Sequence, residues 1–80
     1  MHEATLDFSF TSETIAKAVF GALTPEAGGD VPKTRAIVST DAQRVIVVVH
    51  ADDLAGLRAA LNSYARWADA AGRAAGVGRE

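Results

Sequence analysis

The sequence predicts an α+β fold with elements in the order β-α-β-β-α, in which a three-stranded antiparallel sheet of strand order 1-3-2 carries two helices on one face. Three observations predict this fold. The first segment alternates apolar and polar residues, a valine-rich segment follows a short polar turn, and two longer stretches repeat apolar residues at helical spacing. Because 80 residues build one hydrophobic core at most, we expect a single domain over residues 1–80, with an ordered core over about 3–75.

The first two predicted elements are a strand and a helix. Residues 3–10 alternate in the manner of a half-buried strand, whose apolar side consists of Ala4, Leu6, Phe8 and Phe10. Thr11 or Ser12 then offers a hydroxyl N-cap, and Glu13 places negative charge in the first turn, where the helix dipole favours it. The helix is predicted to continue to about Leu23. Its predicted buried residues are Ile15, Val19, Ala22 and Leu23.

The middle of the chain predicts a loop and a hairpin. Residues 25–33 are rich in Gly and Pro and are expected to form an exposed loop. Residues 34–40 and 44–50 are predicted strands joined by a short polar turn. The third strand is apolar on both faces between residues 45 and 49, which favours a central position. Since the first helix returns the chain, strands one and two run in the same direction and strand three lies antiparallel between them.

The last predicted element is a long helix. Asp52 or Asp53 caps it, it runs to about residues 71–75, and the glycine-rich tail 76–80 is expected to fray. Its side chains sort into three arcs at about 100° per residue. The arc expected to cover the sheet contains Leu54, Leu57, Leu61, Tyr64, Ala65 and Ala68. A polar arc contains Arg58, Asn62, Arg66, Asp69 and Arg73. The third arc holds small residues and one indole: Gly56, Ala59, Ala60, Ser63, Trp67, Ala70 and Ala71.

These elements carry more apolar surface than one small sheet and two helices can bury. Ile37, Ile46 and Val48 are expected on the sheet face that no helix covers, where a second subunit would bury them. Ala18 or Phe20 on the first helix is expected to face a partner. The small-residue arc also favours an interface, because tryptophan is enriched at interface hot spots. The alternative for the sheet face is an isolated patch in contact with solvent. The alternative for the second helix is that its alanines only favour helix formation and that Trp67 lies at the edge of the core.

Composition and charge exclude several classes of protein. The chain has no cysteine and a net charge of −2, which excludes disulfides and thiolate metal sites and disfavours a general polyanion binder. No apolar run is long enough to span a bilayer, and the start lacks a secretory pattern, so we expect a cytoplasmic protein that does not contact membranes. Only His2 and His50 could serve as an imidazole base or zinc ligand, and no nucleophile or phosphate-binding motif accompanies them. We therefore expect no enzyme activity and no cofactor.

The segment directly after the valine-rich strand is ADDLAGLRAALNSYARW over residues 51–67. It is preceded by FSF at 8–10, SE at 12–13, AVFGALTPE at 18–26 and RAIVS at 35–39, in that order. In these segments the chain resembles the small dimerising subunit of the KEOPS complex, the Pcc subunit of the CTAG family. The most specific part of the resemblance is LRAALNSY over residues 57–64 with Arg66 and Trp67.

The resemblance implies a scaffold without catalytic residues. Members of this family are similar in forming homodimers through their sheets and in docking their helices against the catalytic, ATP-binding subunit of KEOPS. That complex installs threonylcarbamoyl on adenosine in tRNA, and the dimer is expected to contribute to tRNA binding through the assembled complex. The expected partner-binding residues are Ala18, Phe20, Ala60, Asn62, Ser63, Tyr64, Arg66, Trp67 and Ala71. The expected dimer interface contains Ile37, Ile46 and Val48, and the candidate tRNA contacts are Arg58, Arg66 and Arg73.

Three alternatives accompany this interpretation. The arginine stripe of the second helix is also compatible with an ordinary solvated face, since exposed charges contribute little to stability. A stand-alone RNA-binding module would resemble the three-strand, two-helix KH type, but the Gly-x-x-Gly loop of that type is absent. A small oligomeric enzyme using His50 is the least favoured, because no orienting partner is visible for that base.

Overall fold

A computed structural model of the protein describes residues 1–24 and 33–77. Its elements are β1 (His2–Ser9), α1 (Glu13–Leu23), β2 (Thr34–Asp41), β3 (Arg44–Ala51) and α2 (Leu54–Val77). The strand order is β1-β3-β2, and both pairs are antiparallel. The predicted fold class, element order and strand order are confirmed.

The sheet is built on β3, which pairs along its whole length with both neighbours. Val48 lies opposite Thr5 on β1 and Ile37 on β2, and this register fixes which residues share a face. The hairpin between β2 and β3 closes with a two-residue turn, in which Ala42 has a φ of 55°. This left-handed conformation is unfavourable for a residue with a Cβ atom.

α1 begins at Glu13 and is capped by Ser12, which resolves the predicted choice of cap. The Ser12 Oγ atom accepts a hydrogen bond from the backbone N–H of Ile15 at 3.2 Å. At the other end, the N–H of Thr24 donates to the carbonyl oxygen of Phe20 at 3.0 Å. The predicted loop over residues 25–33 lies outside the described residues except for Lys33.

α2 begins after Asp53, as predicted for one of the two aspartates. The Asp53 Oδ1 atom accepts a hydrogen bond from the N–H of Gly56 at 2.7 Å. The helix then runs to Val77, slightly past the predicted end at residues 71–75. Of the tail that was expected to fray, residues 78–80 lie outside the described residues.

The hydrophobic core lies between the helices and one face of the sheet. Its buried residues are Ile15, Ala16, Val19, Leu23, Val45, Val47, Val49, Ala51, Leu57, Ala60, Tyr64 and Ala68. Alternate residues of β3 supply the sheet's contribution to the core. The residues of β1 and β2 on the same face are half-buried against them. Burial of this apolar surface is the main force that holds the helices on the sheet.

Both helices are rotated relative to the prediction. On α1, Ala16 is buried where Ala22 was expected, and on α2 Ala60 is buried while Leu54 and Ala65 are exposed. The start of α2 shows the cause: a Cβ atom on Gly56 would lie 3.5 Å from Thr34 Cγ2 and 3.9 Å from Ala51 Cβ. Gly56 and Ala60 of the small-residue arc thus lie towards the sheet, whereas Trp67 of the same arc stays exposed.

Gly72 permits a second close approach. A Cβ atom at this position would lie 3.0 Å from Phe10 Cε1 and 3.9 Å from Val19 Cγ2. Gly72 lies within the helix, against Phe10 directly after β1 and against Val19 of α1. The last turns of α2 are therefore held by packing.

We predict that Gly72→Val lowers the free energy of unfolding by about 1–3 kcal/mol, since a branched side chain would overpack the contact with Phe10 and Val19. Urea unfolding followed by circular dichroism at fixed protein concentration measures the change. Gly21→Val is the matched control, because a Cβ atom on that helical glycine meets nothing within 4 Å. Equal effects of the two substitutions would contradict the packing role of Gly72.

We predict that Ala42→Gly raises the free energy of unfolding by about 1 kcal/mol, because glycine adopts a positive φ without the Cβ penalty. Ala59→Gly is the control on an exposed position of α2, where the same substitution should destabilise by about 1 kcal/mol. A loss of stability at both positions in the same unfolding assay would refute the strain at the turn.

Candidate functional site

The face of the sheet that α1 and α2 leave uncovered carries an apolar patch. Strand alternation places Ile37, Ile46 and Val48 on this open face, as the sequence predicted. Ile37 retains 57% of its accessible surface, whereas Ile46 and Val48 on the central strand are half-buried. Ile37 and Val48 are direct cross-strand partners, so the three side chains form one contiguous patch.

Charged side chains surround the patch along the strands. At one end, Arg44 Nη1 lies 3.2 Å from Asp7 Oδ2 and Arg44 Nη2 lies 3.4 Å from Asp41 Oδ2, which links all three strands. At the other end, His50 Nε2 lies 3.2 Å from Glu3 Oε2. Exposed pairs of this kind add little stability. An apolar centre with a charged rim is the usual composition of a protein interface.

An open depression of about 450 Å³ lies at the end of the sheet where β1 and β2 begin. Its polar lining includes the side chains of Lys33, Arg35, His50 and Asp52, and Met1 and Ile37 contribute apolar surface. Neither Lys33 nor Arg35 forms an ion pair with any other residue that the structure describes. The depression is therefore continuous with the apolar patch and positive on its β2 side.

The outer side of α2 offers a second apolar surface. Trp67 is 37% exposed, and its ring contacts Tyr64 edge-to-face with the centroids 5.2 Å apart. Leu54, which the sequence assigned to the core, is 48% exposed. The aromatic contact holds the indole on the helix surface, where it can contact another helix.

The residues predicted to bind a partner divide into two groups. Ala18, Asn62, Arg66 and Trp67 are exposed, and Phe20, Ser63 and Ala71 are half-buried. Ala60 and Tyr64 keep only 1% and 4% of their surface, so the prediction that they contact a partner directly is not supported by their position. Their side chains pack in the core beneath α2.

The predicted arginine stripe is exposed along α2. Arg58, Arg66 and Arg73 are all accessible, and Arg73 Nε lies 3.2 Å from Asp69 Oδ2 one helical turn earlier. Within the described part of the chain, Arg58 and Arg66 form no ion pair. These two guanidinium groups are therefore available to an anionic partner.

The described residues contain neither a buried polar cluster nor a group of three possible metal ligands. Among residues 1–24 and 33–77, no polar or charged side chain is buried, and no three His, Asp or Glu side chains come close enough to hold a metal ion. The same residues contain no helix of the length and hydrophobicity needed to cross a bilayer. The features with chemical meaning are thus the two apolar surfaces and the charges beside them.

Sequence reasoning missed the charged rim and the exposure of Leu54. Strand alternation could have placed Arg35 and His50 on the open face, since they lie two residues from Ile37 and Val48 respectively. Glu3 is the β1 partner of His50 and therefore lies on the same face. The rotation of α2 that exposes Leu54 had no comparable signal, because leucine and alanine both occur on buried helix faces.

Comparison with known proteins identifies the family. The family model described as transcription factor Pcc1 matches residues 3–75, which includes every described strand and nearly all of α2. A comparison with curated proteins gave no match. With the confirmed order of strands and helices, this match over most of the chain establishes that the protein belongs to the Pcc1 family, whose members are small non-catalytic subunits of the KEOPS complex.

Proposed function

We propose that this protein is the dimerisation and scaffold subunit of KEOPS, the complex that makes threonylcarbamoyladenosine in tRNA. It binds a second copy of itself through the open sheet face and the catalytic, ATP-binding subunit through its helices, and it catalyses no reaction itself. Membership of the Pcc1 family supports the assignment to this complex. The structural observation that carries the proposal is the apolar patch of Ile37, Ile46 and Val48 on the sheet face that neither α1 nor α2 covers.

The open face suits a self-complementary interface. Sheets pack face to face about 10 Å apart through interdigitating side chains, so a second copy would bury the patch on both molecules at once. Branched aliphatic side chains at the centre supply apolar contact, and the ion pairs of Arg44 and His50 remain at the rim. Association also offsets the small core of a chain of 80 residues.

The helices suit a different partner. The helices lie on the side of the sheet opposite the open face, and on them Trp67 and Ala18 are exposed and Phe20 is half-buried. Alanine allows close approach of another helix, and a partly exposed indole is a typical hot-spot residue. Two distinct surfaces allow one protomer to bind its copy and the catalytic subunit simultaneously.

RNA contact is assigned to the arginine stripe of α2. Arg58 and Arg66 have no ion-pair partner among the described residues, and guanidinium groups pair well with phosphate oxygens. The net charge of −2 favours binding of tRNA together with the other subunits over binding by this chain alone.

Co-expression with the catalytic KEOPS subunit tests the assignment. The two chains should co-elute on size exclusion, and omission of this protein should reduce threonylcarbamoyladenosine formation by the reconstituted complex. Formation of a fully active complex without it, or the absence of co-elution, would contradict the proposal.

For the sheet interface, we predict that Ile46→Asp weakens self-association about 100-fold or more, because the dimer would bury an unpaired carboxylate on each copy. Sedimentation equilibrium measures the dissociation constant, and circular dichroism verifies that the monomer remains folded. Ala59→Asp adds the same charge on exposed α2 and should leave the constant unchanged.

For the helix interface, we predict that Trp67→Ala weakens capture of the catalytic subunit by about 2 kcal/mol, or roughly 30-fold, while self-association is preserved. Titration calorimetry with the purified catalytic subunit measures the loss of affinity. Trp67→Phe keeps an aromatic ring beside Tyr64 and should lose less. Unchanged capture by Trp67→Ala would remove this residue from the interface.

A further inference from the structure

The open depression at the end of the sheet is lined by charges of both signs that have no ion-pair partner among the described residues. Lys33 and Arg35 supply two cations, and Asp52 supplies a carboxylate. We propose that this depression binds a sugar phosphate such as a nucleoside monophosphate. The phosphate accepts hydrogen bonds from Lys33 and Arg35, and a sugar hydroxyl donates one to Asp52.

The first observation is that these charges share one depression without contacting one another. No side-chain nitrogen of Lys33 or Arg35 lies within 4 Å of an Asp52 carboxylate oxygen, or of any other acidic oxygen that the structure describes. His50, which lines the same depression, already contacts Glu3. Opposite charges that stay apart in one depression leave the space between them to a ligand that complements both.

The second observation is that the backbone of the depression is fixed. Lys33 has a φ of 60°, which is unfavourable for a residue with a Cβ atom. Its carbonyl oxygen accepts a hydrogen bond from the N–H of Asp52 at 3.1 Å, next to the paired residues Thr34 and Ala51. Strained backbone held in this way is concentrated at binding and catalytic sites. The bond sets Lys33 and Asp52 relative to each other before a ligand arrives.

The third observation is that the Asp52 side chain has no structural task in the described part of the chain. The cap of α2 is Asp53, whose Oδ1 atom accepts from the N–H of Gly56 at 2.7 Å. Asp52 is exposed, and its carboxylate forms no hydrogen bond with another described residue. An ionised carboxylate only accepts hydrogen bonds, so its complement in a ligand is a donor such as a hydroxyl. Acidic side chains take this role towards ribose hydroxyls in nucleotide sites.

The two cations together favour a phosphate over a carboxylate. The guanidinium of Arg35 is a planar fork of donors, whereas the ammonium of Lys33 is a compact point charge. A phosphate monoester offers three terminal oxygens and about two negative charges at pH 7, enough to serve both groups. The volume of about 450 Å³ is that of a small-molecule site, and Ile37 and Ala51 add apolar contact for the rest of the ligand.

Titration of the full chain with ribose 5-phosphate, followed by amide chemical shifts, tests the site. We expect saturable shifts at residues 33–37 and 50–52, with a dissociation constant of about 1 mM or below. Lys33→Gln and Arg35→Gln should each weaken binding about tenfold, because each removes a charge-assisted hydrogen bond to the phosphate. Lys17→Gln removes the same charge from an exposed position of α1 and should leave the affinity unchanged.

Asp52→Ala separates a sugar phosphate from a bare anion. The variant should bind ribose 5-phosphate about tenfold more weakly. It should bind inorganic phosphate at least as well as the natural chain, since a nearby negative charge is removed. Unchanged binding of ribose 5-phosphate by Asp52→Ala, equal losses from Lys17→Gln and Lys33→Gln, or the same shifts from a short RNA but none from ribose 5-phosphate would overturn the proposal. Sedimentation of the same samples measures self-association separately, so this site and the proposed dimer can fail independently.

Discussion

The structure depends on β3, which pairs with both other strands and supplies four residues of the core. Val45, Val47, Val49 and Ala51 are at most 2% exposed because both helices pack over their side of the sheet. The same strand must direct its alternate residues to the other side. Ile46 and Val48 therefore lie on the open face as a direct consequence of the packing that holds the molecule together, and their burial requires a further layer.

The way α2 contacts the sheet determines what remains for a helix partner. Gly56 and Gly72 approach other elements closely and Ala60 lies in the core, whereas Trp67 stays exposed. Part of the apolar surface that the sequence assigned to a partner is thus buried within the chain itself. The remaining surface is centred on Trp67, which Tyr64 supports from within the core. The proposed interface on the helices is smaller than the sequence alone indicated and has one dominant aromatic residue.

The sequence predicted the sheet better than the helices, for a physical reason. A strand has two faces and a period of two, so the alternation of β1 and the double-sided apolar character of β3 predicted strand order and the open face correctly. A helix rich in alanine has no sharp boundary between buried and exposed sides. The rotation of α2 therefore depended on tertiary contacts at Gly56 and Gly72, which no local pattern encodes. The ion pairs of Arg44 with Asp7 and Asp41 also follow from cross-strand register. Resemblance to a family predicted the Pcc1 assignment, which periodicity could not supply.

The central claim is that the open sheet face is an interface between two copies of the chain. Hydrogen exchange measured at protein concentrations above and below the association midpoint tests it most directly, because a second copy packed on the open face would restrict the opening of the strands beneath it. The account predicts that dilution increases exchange in β1 and β2 while the amides of α1 remain unchanged. Exchange in the sheet that is independent of concentration, together with the mass of a single chain throughout, would contradict it.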